Sequence, residues 1–542
     1  MLKQNKENRI RRIFDFLHRN IIIIIIVVVV LAGAISTVTI VRGDHKTEKE
    51  EEPQVTTVST IYLAMDQVST LNPLVSPDSD TYYISQLLYS SLFRLDETLN
   101  VENDLVDTYS TDPSAGKVSI KLKEAKFSDG SDLTAYDVQY TVSRIQAAGE
   151  DSPYYSYAEK IESVSVTGER QLTITFENVK DAALDNLVFP IVSKDNYSTD
   201  SDRVIGSGQY CISSYDQEEV LKLKPNKYYY GGKAENKIEI RVVEDKDRVL
   251  GLMTMDAVTA YVSREQDADV QAEDKNLSVT KISSCELEYL GFNFKNKHLA
   301  KKEVRQAIAL SINTESLIKD DYGGAAVQSD SIYFPGFLGT ENKKDAYPVD
   351  IKGAADLLKK AGYQDSNEDG ILEDKNKKDV SLTILTNKSR TDTAVSIADG
   401  LKEIGINAEV KSLSWDAYRE AITEGEYDIY IGGYKLDKKC DLRMMLNRSK
   451  STGYDNSQAF SYVQQLETCL SAGEQKAVFE KLKPILNEDL PFYCLCYKTY
   501  AFVTVERFRS EEIPTFFDIF RGVSTWEWDK IVIEDSEEEN EE

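Results

Sequence analysis

Residues 126–138 read Lys-Phe-Ser-Asp-Gly-Ser-Asp-Leu-Thr-Ala-Tyr-Asp-Val. Asp129-Gly130 is a turn pair. Thr134, with Asp137 three residues on, opens a helix in the manner of a capping box. Val138, Val142 and Ile145 give that helix an apolar face. Upstream, Val118 to Leu122 alternates as a half-buried strand does. Downstream, Val164–Val166 and Leu172–Phe176 flank Gly168 and predict a hairpin. A strand, a turn, a capped helix and a hairpin in succession make an α/β unit.

The same alternation continues toward the C-terminus. Leu287 to Phe294 reads as a buried strand, and Val304, Ile308 and Ile312 form a helix stripe followed by the cap residue Asn313. Ala354–Ala361 is a helix closed by Gly362. Leu382–Leu385, a helix over 391–404, and Ile406–Val410 make a strand-helix-strand unit, and Ser414–Glu424 is a helix leading into Tyr427–Ile431. Asp365 to Gly370 looks like the start of a calcium loop, but its twelfth position is Asn376 where a bidentate Glu is needed, so it reads as a polar turn. Cys494 and Cys496 alternate with Leu495, which predicts that both thiols share a face.

Composition narrows the function. The chain has 542 residues, more than one hydrophobic core normally serves, so several lobes are expected. Its 64 basic against 92 acidic residues give a formal charge of −28, which excludes nucleic acid as the main partner. Three histidines, His18, His45 and His298, leave one in the globular part, too few for a catalytic triad or a zinc site, and no cofactor or metal is expected. The six cysteines are too scattered for a disulfide scaffold.

The N-terminus assigns the compartment. Ile21 to Val30 is ten consecutive Ile and Val, and the apolar run continues to Val41, about 21 residues and one bilayer thickness. Basic residues precede it and acidic ones follow, so the positive-inside rule puts residues 1–20 in the cytoplasm and everything after Arg42 outside. The run is read as a single-pass anchor; a cleaved signal sequence ending near Ala32-Gly33-Ala34 is the competing reading. Residues 42–54 form a charged linker and 534–542 an acidic tail.

The order of motifs resembles the extracytoplasmic solute-binding proteins of ABC importers, in the oligopeptide-, dipeptide- and nickel-binding family (solute-binding family 5). The motifs are Thr70-Leu71-Asn72-Pro73-Leu74, Leu87 to Asp96, the 126–138 stretch, Gly206-Ser207-Gly208-Gln209-Tyr210, Tyr289 to Asn293 with Val304 to Ile308, Ala361-Gly362-Tyr363 with Leu401 to Gly405, and Trp415 with Tyr418. The resemblance implies an α/β periplasmic-binding-protein type II fold: two lobes with a hinge, an inserted α/β subdomain, and one transmembrane helix before them. Lobe I would collect 55–75, 204–297 and 492–533, the insert 76–203, and lobe III 298–491, with hinge crossings near 293–300 and 488–493.

It also implies a function without catalysis: capture of a peptide by lobe closure and delivery to permease subunits. A ligand-sensing receptor of the same fold, and an oligosaccharide or metal chelate as ligand, are the alternatives. Asp437, after Gly433-Tyr434-Lys435-Leu436, matches the family acid that holds a peptide α-ammonium. Lys438 and Lys439 beside it depart from the family pattern and make Asp441 a rival. Gln67 and Val68 follow the first strand, where the family lends backbone to the ligand. Tyr434 would stack on the ligand with Trp415 and Tyr418 behind it, and Tyr493 and Tyr497 lie near the second crossing.

Overall fold

The computed structural model describes residues 54–178, 184–198, 203–265, 267–340, 346–436, 442–466, 469 and 471–532. The apolar run 21–41 and the acids Asp437 and Asp441 lie outside them. Among the described residues no helix is long and apolar enough to cross a membrane. Residues 56–530 form one unit by their contacts.

Four apolar cores divide that unit. The first lies on a four-stranded sheet in the order Thr60–Met65, Lys237–Val242, Val220–Pro225, Tyr210–Asp216. Its first pair is parallel and the others antiparallel. Ile61, Leu63, Leu221, Ile238 and Ile240 from that sheet meet Phe502, Trp526 and Trp528 from the end of the chain. Asn236 ties the two together. It accepts the Tyr210 hydroxyl at 2.5 Å and donates to the carbonyls of Val523 and Trp526 at 2.7 and 2.8 Å.

The second core belongs to the stretch read first. Strands Val106–Asp112, Lys117–Leu122, Gln171–Phe176 and Ile161–Gly168 form an antiparallel sheet in that order. The helix Ala135–Ala148 begins at Thr134, whose N–H and hydroxyl both donate to the Asp137 carboxylate at 2.8 Å. Val138, Val142 and Ile145 pack onto Val118, Ile120 and Ile174. The turn before the helix docks by main chain, Ser128 N–H donating to the Gly206 carbonyl at 2.9 Å. Gly206 and Gly208 pass so close to the end of helix Ser79–Leu88 that an added Cβ would lie 1.9 Å from the Leu88 oxygen and 2.4 Å from the Leu87 oxygen. Only glycine permits that approach.

The third and fourth cores lie on the two faces of the largest sheet. Its order is Ala260–Ser263, Phe492–Thr504, Ser278–Phe292, Ile429–Lys435, Ser381–Asn387, Asn407–Leu413, with Ala326–Val327 also on Phe492–Thr504. One face packs Leu287, Tyr289, Tyr497 and Phe492 against Tyr418, Met445, Leu446 and Phe479. The other packs Leu290, Phe292, Ile384 and Ile429 against Val304, Ile308, Ile397 and Leu401. The predicted stripe Val304, Ile308, Ile312 is fully buried, and Asn313 accepts the Ser316 N–H at 3.0 Å as a helix cap.

The strands Ser278–Phe292 and Phe492–Thr504 are long enough to serve both the first core and the large-sheet cores. The change of core coincides with a break in their ladder. Ser283 pairs with Thr499 and Leu287 with Tyr497, so residues 284–286 bulge opposite Lys498 alone. On its other side the strand Phe492–Thr504 changes partner at the same place, from Ala326–Val327 at 497–498 to Ala260–Ser263 at 501–504.

A second bulge corrects the cysteine expectation. Glu288 pairs with Cys496 and Tyr289 with Cys494, leaving Leu495 as the extra residue. The extra residue breaks the alternation, so Cys494 faces the third core and Cys496 the fourth. Both thiols are buried. The Asp365–Gly370 loop is a polar turn, its Asp365 carboxylate accepting the N–H groups of Glu368 and Gly370 at 2.7 and 2.9 Å.

Candidate ligand-binding site

Three strands of the large sheet run parallel: Ser381–Asn387, Asn407–Leu413 and Ile429–Lys435. Their carboxyl ends therefore share one edge, and in α/β sheets the crevice outside such ends is where ligands are held. At this edge emerge Lys388-Ser389-Arg390, Ser414-Trp415 and Tyr434-Lys435-Leu436. The antiparallel strand Ser278–Phe292 places Glu286 opposite Lys435, Leu287 opposite Tyr434 and Glu288 opposite Gly433.

Glu288 is a buried carboxylate in an apolar strand, and two cations meet it. Arg390 grips it bidentately, Nε and Nη2 donating at 2.5 and 2.8 Å, and Lys498 Nζ lies at 3.3 Å. Gly433 makes room for this pair, since a Cβ there would stand 2.2 Å from Arg390 Nη2. Burial works against the charge of Arg390, but the hydrogen bonds and charge of Glu288 hold its pKa above the ordinary value. The cluster holds two cations and one anion, so this edge keeps an excess positive charge.

The lobe I side adds a second polar chain. Tyr500 donates its hydroxyl to Glu286 Oε1 at 2.9 Å. Arg264 lies over the Tyr500 and Tyr83 rings, 5.4 and 5.6 Å from their centroids, and donates to the Tyr83 hydroxyl at 3.0 Å. Burial, reinforced by Glu286, pushes the Tyr500 phenol up and keeps it a neutral donor. Burial likewise raises the Cys285 thiol to about 11, so it is no nucleophile at neutral pH. This chain crosses from the first core to the bulged segment 284–286.

The residues singled out from sequence divide between this edge and the cores. Trp415 is 54% exposed and stacks on Tyr418, centroids 5.7 Å apart and planes 23° from parallel. Tyr418 is buried and donates to the Ile431 carbonyl at 2.6 Å. Tyr434 is half-buried beside it in the third core. Gln67 is exposed, whereas Val68 is 4% exposed with its side chain in the first core. Tyr497 is fully buried and donates to the Ile332 carbonyl. Tyr493 pairs with Leu290 inside the sheet, with its ring against Tyr347.

The charged residues of the edge, Glu286, Glu288, Arg390, Lys498 and Arg264, are absent from the sequence-derived set. The signal for two of them was available: Glu286 and Glu288 interrupt the run Cys285 to Phe292 at alternate positions, and a buried charge is informative where a buried leucine is not.

Comparison with known proteins places these features in context. The family described as bacterial extracellular solute-binding proteins, family 5 (middle), matches residues 100–456. The oligopeptide-binding protein AppA of Bacillus subtilis (strain 168) is 25% identical over 490 residues, which cover 84% of this chain and 89% of that protein. NikZ from Campylobacter jejuni, solved in complex with Ni(L-His), superposes with a TM-score of 0.59 at 21% identity, covering 86% of this chain and 99% of NikZ. The ABC transporter substrate-binding protein CtaP of Listeria monocytogenes gives a TM-score of 0.67 at 20% identity, covering 87% and 99%.

Proposed function

Because the chain belongs to the bacterial extracellular solute-binding proteins of family 5, we propose that it is the substrate-binding component of an ABC importer, capturing peptides by lobe closure and handing them to permease subunits. The observation that carries this reading is the interrupted ladder between two strands shared by separate cores. Residues 284–286 and Lys498 lack each other's regular pairing where the cores change. A bend there costs few hydrogen bonds, because three residues of one strand face a single residue of the other. In this reading the hinge lies at 283–287 and 497–500; the family resemblance implies crossings near 293–300 and 488–493.

Closure requires that a ligand make contacts in the closed state that the open state lacks. The carboxyl edge of the large sheet supplies one wall, with Trp415 and Tyr434 as aromatic surface. The Arg264, Tyr83 and Tyr500 group supplies the other. Exposed main chain at Gln67 and at Gly433 suits an extended peptide, whose own main chain gives affinity without dependence on sequence. Asp437, next but one after Lys435, holds the α-ammonium in this reading, with Asp441 as the alternative acid. Binding here involves no turnover. The apolar run 21–41 tethers the binding unit to the outer face of the cell membrane.

Native mass spectrometry of residues 54–542, purified without denaturation, tests the reading. A ladder of excess masses that resolves into short peptides supports it. A single mass carrying a metal would replace it with capture of a metal chelate. Asp437→Ala is expected to weaken peptide binding by about 1.5–3 kcal/mol, the value of a hydrogen bond to a charged group. An unchanged Kd would remove Asp437 from the site.

A further inference from the structure

The second and third cores meet at the turn 96–100, which joins the short antiparallel strands Phe93–Leu95 and Val101–Asn103. Phe93 and Val101 pack in the second core, but Leu99 on the turn packs in the third, with Ile332, Phe334, Phe337 and Leu338. Main chain joins the two sides as well, the Leu338 N–H donating to the Thr98 carbonyl at 3.2 Å. Leu99 and Leu338 are 6% and 4% exposed, so both side chains are withdrawn from water. The contact also adjoins the lobe I wall of the candidate site. Phe334 meets the Phe516 ring edge-on with centroids 5.7 Å apart, and the Phe516 carbonyl accepts the hydroxyl of Tyr83, the ring beneath Arg264, at 2.9 Å.

Both leucines stand in the left-handed region, Leu99 at φ 67° and Leu338 at φ 51°. That conformation is an outlier for a bulky side chain and persists only where the surroundings over-determine it. For Leu99 those surroundings are a net of short bonds. The Asp96 carboxylate accepts the Thr98 and Asn100 N–H groups and the Thr98 hydroxyl, each at 2.8 Å, and the Asn100 amide at 3.0 Å. Arg521 braces the turn from outside, its Nη2 2.9 Å from Glu97 and its Nε donating to Glu512 at 2.8 Å. A turn held in this form carries Leu99 as a fixed projection toward Leu338.

We propose that the turn 96–100 of the insert and the segment 332–338 of lobe III form an interlobe latch, made when lobe III lies against the insert and broken when lobe III swings away, and that this latch sets the resting balance between the closed and open forms. The inference rests on the lobe-closure reading above but not on the identity of the ligand. Apolar burial favours the made contact, and the strain of two outlier backbones opposes it. The opposition keeps the latch reversible. The same burial between relaxed residues would hold the lobes together more firmly.

The test uses the full-length chain in detergent, with donor and acceptor dyes attached by non-cysteine chemistry at Ser114 in the insert and Val395 in lobe III, both exposed. Single-molecule energy transfer is recorded without ligand and with an equimolar mixture of synthetic tetrapeptides. Leu99→Asn removes the apolar side chain and keeps the turn, since Asn adopts the left-handed form readily. Without peptide, the ratio of short-distance to long-distance molecules should fall about tenfold or more, the worth of one buried leucine. Leu338→Asn probes the same contact from lobe III, and stands in should Leu99→Asn fail to fold. The double variant should open no further than the more open single one, because the two residues share one contact. An unchanged ratio in variants that keep the parent's near-ultraviolet circular dichroism overturns the latch. Additive shifts in the double variant also overturn it, by showing two independent losses of packing. Distances that respond to peptide equally in parent and variants overturn the latch and leave lobe closure standing. Distances that change with neither peptide nor variant overturn lobe closure and the latch together.

Discussion

Replacing Glu288 by glutamine should be among the most damaging single changes in the large sheet. The Glu288 side chain is 3% exposed, and its partners Arg390 and Lys498 are 16% and 27% exposed. Glutamine keeps the shape and removes the charge. Two cations then face each other across a site that water barely reaches, and Arg390 keeps at most one of its two acceptors, since the amide NH2 is a donor facing a donor. Removing one partner of a buried pair costs about 3–5 kcal/mol, most of it the burden of the charge left behind. Lys498 is the more exposed cation and can turn outward, which favours the lower half of that range. The double change Glu288→Leu with Arg390→Met removes the buried pair and leaves only the more exposed Lys498, which can turn outward, so stability should return to within about 1 kcal/mol of the parent, because apolar replacements of a buried pair are often neutral. Urea unfolding measures both. Trp415, on the helix Trp415–Glu424 packed against this sheet, reports its transition apart from that of the first core. A loss below about 1 kcal/mol for Glu288→Gln, or a double variant less stable than the single one, would refute the argument.

Two other expectations follow from burial. Trp526 and Trp528 are 1% exposed, whereas Trp415 stands 54% exposed at the candidate edge, so ligand binding there should change Trp415 emission; a binding-dependent signal left wholly unchanged by Trp415→Phe would take Trp415 out of the site. Burial, with Lys297 nearby, holds the His298 imidazole below its ordinary pKa, where its Nδ1 meets the Tyr363 hydroxyl at 2.8 Å. A depressed folded-state pKa means that this stabilisation is complete above the unfolded value of about 6.5 and is lost as pH falls through the window beneath it. Melting temperatures between pH 7.5 and 5 should therefore fall less in His298→Gln than in the parent, and equal slopes would rule His298 out.

Much of the fold was legible in the sequence because its elements are local. The Thr134 capping box, the Val304, Ile308, Ile312 stripe and the hairpin around Gly168 each depend on residues within a few positions of one another. Short-range hydrogen bonds and periodic burial decide such features before any distant contact forms. Family motifs such as Gly206-Ser207-Gly208 were readable as a pattern. Their cause, a backbone pressed onto the Leu87 and Leu88 carbonyls, became visible only in space.

The site was less legible, and the aromatics show why. Trp415, Tyr418, Tyr493 and Tyr497 look alike as candidates, yet only Trp415 presents an open ring, because exposure is set by which helix covers which face. Cys494 and Cys496 obey strict alternation in the chain and lose it to one extra residue, Leu495, that only the pairing of strands reveals. The sequence by itself determined the acidic extracytoplasmic character, the order of helices and strands, and the family. The tertiary structure alone decided which charges meet: Glu288 and Arg390 are 102 residues apart, and Tyr500 and Glu286 are 214 apart. The physical reason is that local propensity acts through neighbouring dihedrals, whereas a buried ion pair or a hinge exists only after long strands have brought distant parts of the chain together.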